Sequence, residues 1–491
     1  MTQAVDSLMR AVRPAIVLTM LGRLLLTLAA LSAVPALVSL FGDDALLLWR
    51  LSTVSALLAV LGWPLSRISG GGDIQWNEAL AITGIAFVIA PLVMVWPLMG
   101  LGIHPVDAWF EAVSGVTTTG FTTLRGMSER PAEFLFLRAW MQWYGGLGIA
   151  AMTIALIMRH HAGARRLLET TGESLKDASA RMHARRVFLV YAALTMIAVA
   201  AVWASGLPAF SALIHGLAAV ATGGFAESDQ NIAPLPASSV AVLCVVCVAA
   251  AISLPLYPRL RHRGLGALFS EPEVRALFWA ILMTAACLAA IDVASSPATS
   301  SAVNWTAKVT DALVLGVSAQ TDTGFSTSDV AALPASAQLV LMISMTTGGC
   351  TGSTAGGIKL IRLLIMLRLI QVALQRTAIS ARAVVDLRIG GARVQPDMIV
   401  GALQLLALWA LVLLASWIIF LLSGQPPMAS LFEVVSATSN AGLSAGLAGP
   451  DLAPSLKLVL TADMLLGRVE ILALLVVLYP PTWLGRRRAS P

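Results

Sequence analysis

Long apolar runs constrain the fold of this 491-residue chain more than any other feature. A helix needs roughly 20 mostly apolar residues to cross the hydrocarbon core of a bilayer. Runs of this kind lie at 14–40, 45–63, 76–98, 134–158, 187–205, 236–258, 276–294, 396–423 and 457–480, with a shorter, interrupted pair at 336–375. Charged residues make up 12% of the chain, about half the share in soluble domains. The sequence therefore predicts an all-α polytopic membrane protein in contact with membrane lipid.

Lysine and arginine residues are unevenly distributed among the segments between these runs. Twenty-one of them fall in four segments: 159–186, 258–275, 359–395 and 486–488. Only three fall in four others: 99–134, 206–235, 295–335 and 424–455. Because positively charged loops stay in the cytoplasm, we expect the first set and both termini to be cytoplasmic. The net charge of +6 then reflects topology, and no nucleic-acid partner is expected.

Neither the cysteines nor any catalytic motif indicates chemistry within the chain. Cys244 and Cys247 form a CxxC pair, but they lie inside the apolar run "SSVAVLCVVCVAAAISL", where small buried hydrophobic residues are expected. His160 and His161 border a basic segment and are expected in a solvated loop. No HExxH, GxSxG or clustered His/Cys/carboxylate constellation appears at a depth plausible for catalysis. We therefore expect the protein not to be an enzyme.

The four segments poor in lysine and arginine, which we expect to face outward, repeat one plan. In each, a short amphipathic stretch is followed by a segment of small residues. The amphipathic stretches are 105–116, 207–221, 304–320 and 428–439. The small-residue segments, called segments 1 to 4, are "TTTGFTT" (117–123), "ATGGFAE" (221–227), "TDTGFST" (321–327) and "SNAGLSA" (439–445). Their aligned glycines, Gly120, Gly224, Gly324 and Gly442, are separated by 104, 100 and 118 residues. This spacing predicts four units of span, short re-entrant helix, extended polar segment and span.

These units predict a division of the chain into five parts. They are an N-terminal two-helix extension (1–70), repeat 1 (71–160), repeat 2 (185–260), repeat 3 with a broken second span (272–380) and repeat 4 (394–485). Non-helical backbone at membrane depth is tolerated only where it is buried in protein or lines a watery cavity. Four copies around one axis would present rings of carbonyl oxygens that replace the hydration shell of a cation. The predicted filter residues are Thr117, Thr118, Thr119, Gly120, Ala221, Thr222, Gly223, Gly224, Thr321, Asp322, Thr323, Gly324, Ser439, Asn440, Ala441 and Gly442.

A glycine-rich stretch, "GGCTGSTAGGIK" (348–359), interrupts the apolar pair at 336–375. It is not a nucleotide-binding P-loop, because Lys359 follows "GGI" and no strand precedes the stretch. We expect an irregular loop facing a cavity, with a simple kink between packed helices as the alternative. Flexibility would come from Gly348, Gly349, Gly352, Gly356 and Gly357, and Ser353 and Thr354 would satisfy backbone groups freed by the break.

Arg468 lies within the last predicted span, where an ionisable side chain is a functional candidate. The alternative is a structural ion pair with Asp463 or Glu470.

These motifs resemble those of the Trk/Ktr/HKT superfamily of potassium transporters, and most closely the bacterial Trk membrane subunits. The resemblance rests on "EAVSGVTTTGFTT", "ATGGFAESD", "TDTGFSTSD", "SATSNAGLS", "MTTGGCTGSTAGGIKL" and "DMLLGRVEIL", and it covers essentially the whole chain. It implies pseudo-fourfold repeats around one pore, plus two N-terminal transmembrane helices, in a K⁺-transporting protein of the bacterial inner membrane. It further implies that loop 348–359 obstructs the pore until it moves, and that Arg468 sets an electrostatic barrier.

The resemblance also implies partners. These are a second copy in a homodimer and a cytosolic TrkA-like regulatory subunit of the RCK type, which would bind NAD(H) or ATP; no nucleotide is expected on this chain. Two positions depart from the family pattern. Asp322 replaces a small polar residue and either faces away from the pore or strengthens cation binding at its mouth, while Leu443 replaces the commoner Phe. A secondary transporter (a symporter coupled to H⁺ or Na⁺) working by alternating access remains the alternative function.

Overall fold

The structure is a computed structural model that describes residues 11–68, 74–160, 180–264, 266–295, 305–378 and 386–484. Nearly all regular structure within these ranges is helical, which confirms the predicted all-α class. Most of the basic segment 159–186, including His161, lies outside the described residues, as does 486–488. The strands of the described ranges form one short hairpin, in which β1 (Arg388–Ile389) pairs antiparallel with β2 (Ala392–Arg393).

The helices are numbered here in chain order. They are α1 (Pro14–Ser39), α2 (Ala45–Ser66), α3 (Trp76–Met99), α4 (Pro105–Val116), α5 (Ala132–His160), α6 (Ala180–Ala204), α7 (Ala209–Val220), α8 (Ala237–Ala251), α9 (Tyr257–Arg263), α10 (Gly266–Phe269), α11 (Pro272–Ser295), α12 (Trp305–Thr321), α13 (Ala335–Thr347), α14 (Leu360–Ala378), α15 (Pro396–Leu422), α16 (Pro427–Ser439), α17 (Pro454–Arg468), α18 (Leu472–Leu478) and α19 (Pro481–Leu484).

Six helices of the described chain are long and apolar enough to cross a membrane, or seven if a bent pair counts as one span. The six are Pro14–Ser39, Ala45–Ser66, Trp76–Met99, Ala184–Ala204, Pro272–Ser295 and Pro396–Leu422. Their outward faces carry large apolar side chains that the described parts of the chain leave exposed. Met196, Trp279 and Leu411 are 72, 67 and 63% exposed. Such surfaces are suited to lipid tails, so the chain is a multi-pass membrane protein.

The N-terminal helices α1 and α2 form a closely packed hairpin. A Cβ on Gly62 would lie 2.8 Å from the carbonyl oxygen of Gly22. A Cβ on Gly22 would lie 2.6 Å from the carbonyl carbon of Leu65. Small residues at such crossings let two membrane helices approach each other closely.

Each predicted amphipathic stretch forms a short helix, namely α4, α7, α12 and α16. Proline helps to fix where three of them begin. Pro105 and Pro427 occupy the first turns of α4 and α16, and Pro208 is the N-cap of α7. Proline suits these positions because its fixed φ favours the first turn and it lacks an amide that would stay unpaired there. The four helices end within a residue of the positions expected from the sequence.

Two predicted spans are not continuous. The run at 236–258 was expected to form one helix, but α8 ends at Ala251 and the chain bends by 88° before continuing at Leu254. The run at 457–480 was also expected to be one span, yet α17 ends at Arg468 and α18 begins at Leu472. Between them, Glu470 and Ile471 have φ values of +57° and +58°, which no helix accommodates. Breaks therefore interrupt the chain after α8, α13 and α17, and only the break after α13 had been predicted.

The cysteines behave as small apolar residues. All four are free thiols, and Cys247 is buried on α8. Leu443, the departure in segment 4, is buried in an apolar cluster with Phe432 and Val435, so the change is absorbed by packing behind the segment.

Candidate functional site

Segments 1 to 4 share one backbone conformation. The aligned glycines Gly120, Gly224, Gly324 and Gly442 have φ values of +88°, +73°, +82° and +79°. Two residues before each glycine, the chain is again left-handed: Thr118, Thr222, Asp322 and Asn440 have φ values of +54°, +51°, +53° and +57°. Left-handed residues that alternate with right-handed or extended ones turn successive carbonyls towards the same side of the chain. The repeat seen in the sequence is therefore also a repeat of backbone shape.

The short helices end in the same way in all four copies. The amide of the residue before each aligned glycine donates to the carbonyl five residues earlier. These bonds are Thr119 to Ser114 (2.9 Å), Gly223 to Ala218 (2.8 Å), Thr323 to Ser318 (3.0 Å) and Ala441 to Ser436 (2.9 Å). This bond belongs to the helix-ending motif that places one residue in the left-handed region. The helix C-termini, with their partial negative charge, are thereby joined directly to the segments.

The four segments close into a ring. A Cβ added to any aligned glycine would collide with a carbonyl oxygen of the following segment, and the contacts run in cyclic order. They are Gly120 against Gly223, Gly224 against Thr323, Gly324 against Ala441, and Gly442 against Thr119. Each oxygen belongs to the residue before the next aligned glycine. Glycine is therefore required twice at each position, by its positive φ and by the approach of a neighbouring carbonyl.

Several ring carbonyls receive no hydrogen bond from the part of the chain that the structure describes. They include those of Thr119, Thr323 and Ala441, the oxygens that contact the neighbouring glycines. Buried carbonyls without a partner are uncommon in native proteins. Where a partner is present, it braces the ring from behind: Gln142 Nε2 donates to the Gly223 carbonyl (2.5 Å) and Asn231 Nδ2 to that of Gly324 (3.0 Å). Nothing in the local sequence around Gln142 or Asn231 indicates this role.

A pair of side chains ties three of the short helices to the chain beyond the ring. In each case the partners lie 13 residues before and 3 residues after the aligned glycine. The bonds are Thr123 Oγ1 to Asp107 Oδ1 (2.7 Å), Ser211 Oγ to Glu227 Oε2 (3.0 Å) and Thr327 Oγ1 to Asp311 Oδ1 (2.6 Å). In the second copy the hydroxyl and the carboxylate have exchanged places. The pairing holds each segment against its own helix, and the matching register was readable from the sequence.

A second pairing involves buried carboxylates 9 residues before the glycine, in copies 1 and 4. Glu111 accepts from the hydroxyl of Thr122, and Glu433 Oε1 accepts from Ser444 Oγ (2.6 Å). Glu111 is also paired with Arg138 on α5 (3.0 Å), and both side chains are almost completely buried. A buried ion pair of this kind is costly to break, because either partner alone would be an uncompensated charge.

The Arg138 guanidinium also connects two copies of the repeat. Its central carbon lies 3.8 Å from the centre of the Phe225 ring, in segment 2. Arg138 therefore joins the first short helix to the second segment through one ion pair and one cation–π contact. Neither role was predicted, since a lone arginine in an apolar run gives no indication of its partner.

The glycine-rich loop (348–359) packs against the ring. The amide of Gly357 donates to the Ser439 carbonyl (2.9 Å), and Gly356 approaches that carbonyl too closely for a side chain. Gln320 Nε2, from α12, donates to the carbonyl of Gly348 (2.7 Å). The break is thus an irregular loop with its own backbone partners, not a kink between packed helices.

Hydroxyls and amides attach the loop to the ends of α7 and α8. Thr354 Oγ1 donates to the carbonyls of Val220 (3.0 Å) and Ala250 (3.1 Å), and the amide of Cys350 donates to Ala251 (3.0 Å). Ser353 Oγ bonds within the loop, to the Cys350 carbonyl (2.6 Å). Both hydroxyls therefore satisfy backbone groups, as expected. The break after α8, missed in the sequence, supplies the carbonyls that hold the loop.

Arg468 reaches the loop from the opposite side. Its Nη1 donates to the Thr354 carbonyl (3.0 Å), and the side chain is almost fully buried. It forms no ion pair among the described residues, so the suggested pairing with Asp463 or Glu470 is not seen. Glu470 instead pairs with Arg362, at the start of α14 (2.8 Å), and Asp463 accepts from Ser416. The guanidinium of Arg468 therefore lies beside the loop without an acidic partner among the described residues.

Fold and site together define a class: a multi-pass helical membrane protein in which four short helices lead into four glycine-bent segments that form one closed ring. Residues 96–480 match the TrkH protein family, described as cation transport proteins. The match spans most of the chain. The chain therefore belongs to the TrkH family of cation transport proteins, which is a family of ion transporters and not of enzymes.

Individual relatives match over nearly their whole length. The chain is 28% identical to the Trk system potassium uptake protein TrkH of Escherichia coli, over 94% of this chain and 98% of that protein. It is 30% identical to the protein of the same name from Halomonas elongata, over 95% and 98%. Among solved structures, the potassium transporter TrkH from Vibrio parahaemolyticus superimposes with a TM-score of 0.84 at 25% identity, covering 96% of this chain and all of that one.

The attachment of the loop through Thr354 can be tested by Thr354→Val, which keeps the side-chain shape and removes the hydroxyl. The Val220 carbonyl loses its donor, and the Ala250 carbonyl keeps only the long bond from the Thr354 amide (3.4 Å), at a cost of about 1–3 kcal/mol in local stability. Hydrogen–deuterium exchange of the purified protein should show loop amides 348–358 exchanging roughly tenfold faster. Ser353→Ala, which removes a bond internal to the loop, is the matched control and should have a smaller effect. Equal protection in Thr354→Val and the unmodified protein would contradict this attachment.

Proposed function

We propose that this chain is the membrane-spanning pathway of a bacterial potassium uptake system, and that segments 1 to 4 form its selectivity filter. The single observation that carries the proposal is the closed ring of glycine–carbonyl contacts. In such a ring, carbonyl oxygens from four directions replace the water around a dehydrated K⁺. The names of the curated relatives, which are potassium uptake proteins, support K⁺ as the transported ion.

The bonding around the ring supports selectivity by fixed geometry. Side-chain pairings hold the last residue of segments 1, 2 and 3 against the short helix of the same copy, while Gln142 and Asn231 donate to ring carbonyls. The C-terminal ends of the short helices add partial negative charge beside the pathway, which favours a cation. Fixed oxygens coordinate best an ion that fits their spacing. A smaller ion such as Na⁺ costs more free energy to dehydrate and is coordinated less well by the same oxygens.

The glycine-rich loop is proposed as the gate. It lies against the Ser439 carbonyl of the ring and is held by α8 on one side and by Arg468 on the other. In this arrangement the loop obstructs the path from the filter, and Arg468 places a positive charge in the same region. Cations pass when the loop moves out of the path and the Arg468 guanidinium moves with it.

A pore accounts for this arrangement better than a two-repeat carrier does. Carriers that work by alternating access are commonly built from two repeats that rock against each other around a central site. Here all four segments contact one another in a single cycle. The divisions 71–160, 185–260, 272–380 and 394–485 are proposed as the four repeats, with 1–70 as the added N-terminal hairpin.

The orientation and the partners follow from the distribution of charge. The arginine-rich segments and both termini face the cytoplasm, in the bacterial inner membrane, by the positive-inside rule. The relatives are named as parts of a Trk system, which supports a complex with further subunits. We propose a homodimer of this chain and a cytosolic RCK-type regulatory subunit. NAD(H) or ATP would bind to that subunit, and the basic cytoplasmic face of this chain would receive it.

The filter assignment is tested by Gly120→Ser and Gly324→Ser. At both positions the Cβ of serine would displace a carbonyl of the next segment, and the serine backbone would have to keep an unfavourable positive φ. In proteoliposomes loaded for ⁸⁶Rb⁺ uptake with Na⁺ as competitor, the preference for Rb⁺ should fall by at least about tenfold, the change that a loss of about 1.4 kcal/mol produces, or uptake should cease.

Gly102→Ser is the matched control for this experiment. Gly102 has a φ of +73°, yet no atom lies within 4 Å of its would-be Cβ. The control therefore carries the backbone strain without the collision with a carbonyl, and it should retain the preference for Rb⁺. Unchanged preference in both ring variants would remove the basis for the filter.

The barrier proposed for Arg468 is tested by comparing Arg468→Met with Arg468→Lys. Methionine removes both the charge and the bond to the Thr354 carbonyl, so ⁸⁶Rb⁺ flux without the regulatory subunit should rise several-fold. Lysine keeps the charge and should keep flux close to that of the unmodified protein. Equal flux in all three proteins, at equal amounts in the vesicles, would exclude the barrier.

A further inference from the structure

The four copies of the ring differ in the bonds made by their equivalent side chains. Thr118, Thr222, Asp322 and Asn440 lie two residues before the aligned glycines, and all four are buried with left-handed backbones. In the described chain, the side-chain oxygens of Thr118 and Asp322 have no hydrogen-bond partner, and Thr222 Oγ1 donates to the adjacent Ala221 carbonyl (2.7 Å). Among the described residues, only Asn440 of these four bonds through its side chain to another segment.

The side-chain amide of Asn440 joins segment 4 to both segment 1 and α17. Its Nδ2 donates to Thr119 Oγ1 (3.0 Å) and to the Met464 carbonyl (2.8 Å). Because a carbonyl can only accept, the amide nitrogen must face Met464, which fixes the orientation of the side chain. Both protons of the amide group are then used. Asparagine also tolerates the left-handed φ of +57° at this position better than most residues do.

Thr119 lies at the contact that closes the ring. Its carbonyl oxygen approaches Gly442, which is the contact between segments 4 and 1. Its hydroxyl, which accepts from Asn440, also bonds to Thr117 Oγ1 (2.8 Å), and Thr117 Oγ1 donates to the Val113 carbonyl on α4 (2.7 Å). The side chain of Thr119 is therefore held by segment 4 on one side and by the first short helix on the other.

Segment 4 is also bonded to the proposed gate. The Ser439 carbonyl accepts from the amide of Gly357, in the loop (2.9 Å). Gly467, on α17, packs closely here: its Cβ would collide with the Thr438 carbonyl and would stand 3.1 Å from Asn440 Oδ1. Of the four segments, only segment 4 is hydrogen-bonded to both the loop and α17 within the described chain.

Arg468 links α17 back to the loop. It lies four residues after Met464, about one helical turn further along α17. Its guanidinium donates to the Thr354 carbonyl in the loop (3.0 Å). Two routes therefore connect the loop to segment 4. One runs directly to the Ser439 carbonyl, and the other runs through Arg468 and α17 to Asn440.

We propose that Asn440 is the positioning residue that couples the loop to the ring. When the loop moves, the Ser439 carbonyl loses its donor and α17 shifts with Arg468. Asn440 then no longer holds Thr119, so the contact between segments 4 and 1 loosens as the path clears. Coupling of this kind is reciprocal, so a cation held by the ring carbonyls stabilises the loop in its closed position. This inference rests on the proposed filter and gate and adds the residue that links them.

Hydrogen–deuterium exchange of loop amides 348–358 tests the coupling, with the full-length protein in lipid nanodiscs and either K⁺ or choline at equal ionic strength. In the unmodified protein, K⁺ should slow this exchange by about fivefold or more, the lower end of coupling between two sites. Asn440→Gly removes both amide bonds and leaves a residue that readily adopts positive φ. Its K⁺-dependent slowing should fall below about twofold. The ratio between the two salts is the readout, because a general loss of stability changes exchange in both.

Asn231→Gly is the matched control. Asn231 also has a left-handed backbone (φ +56°), and its amide donates to a ring carbonyl, that of Gly324 (3.0 Å). Among the described residues it has no bond to the loop or to α17. Asn231→Gly should lower the preference for Rb⁺ over Na⁺ yet keep the K⁺-dependent slowing of loop exchange. Equal loss of that slowing in both variants would show a general loosening of the ring and would overturn the role of Asn440.

A second pair of variants keeps the proposal testable if Asn440→Gly does not fold. Thr119→Val removes the hydroxyl that accepts from Asn440. Thr323→Val is its control, because Thr323 Oγ1 bonds to Thr321 Oγ1 (2.7 Å) as Thr119 does to Thr117, without an asparagine partner. The K⁺-dependent slowing should fall in Thr119→Val and persist in Thr323→Val.

Three results would overturn the proposal: full K⁺ dependence of loop exchange in Asn440→Gly, full K⁺ dependence in Thr119→Val, or its absence from the unmodified protein. The filter itself would survive any of them if Gly120→Ser and Gly324→Ser still lost their preference for Rb⁺.

Discussion

The contact between a bent glycine and a carbonyl of the next segment is the interaction on which the rest of the structure depends. It occurs four times, and the fourth contact returns to the first segment. Any side chain at the aligned positions would push a carbonyl away, so the ring closes only with glycine. The short helices, the side-chain pairings that tie them to the segments and the amides of Gln142 and Asn231 together hold these backbones in place.

The breaks after α8, α13 and α17 meet at the glycine-rich loop, which packs against the same ring. The first exposes the carbonyls of Ala250 and Ala251, which accept from the glycine-rich loop. The second is the loop itself. The third ends α17 at Arg468, whose side chain reaches the loop. The elements that follow segments 2, 3 and 4 therefore meet at one short stretch of chain, so movement of the loop requires several weak bonds to break together.

The sequence predicted the fold because the determining signals were local and repeated. Apolar runs identified the spans, and the four small-residue segments with their aligned glycines located the short helices within a residue or two. The loop at 348–359 was identified from its own glycines. The break after α8 had a readable cue in Ser253, Pro255 and Pro258, which was overlooked.

Other features had no local signal. The break at Glu470 contains neither glycine nor proline, and it depends on partners more than 100 residues away: Arg362 for Glu470 and Thr354 for Arg468. The ion pair of Glu111 with Arg138, and the braces from Gln142 and Asn231, are likewise tertiary contacts. A single sequence shows which residues are unusual for a membrane, but not which of them face one another.

The most direct test of the central claim is an anomalous-scattering map of the protein crystallised in Rb⁺. The account predicts density on the axis of the ring, at equal distances from the carbonyl oxygens of Thr119, Gly223, Thr323 and Ala441. It also predicts that Gly324→Ser weakens this density. Rb⁺ located away from the four segments, with none on their common axis, would contradict the claim that these backbones bind the permeating ion.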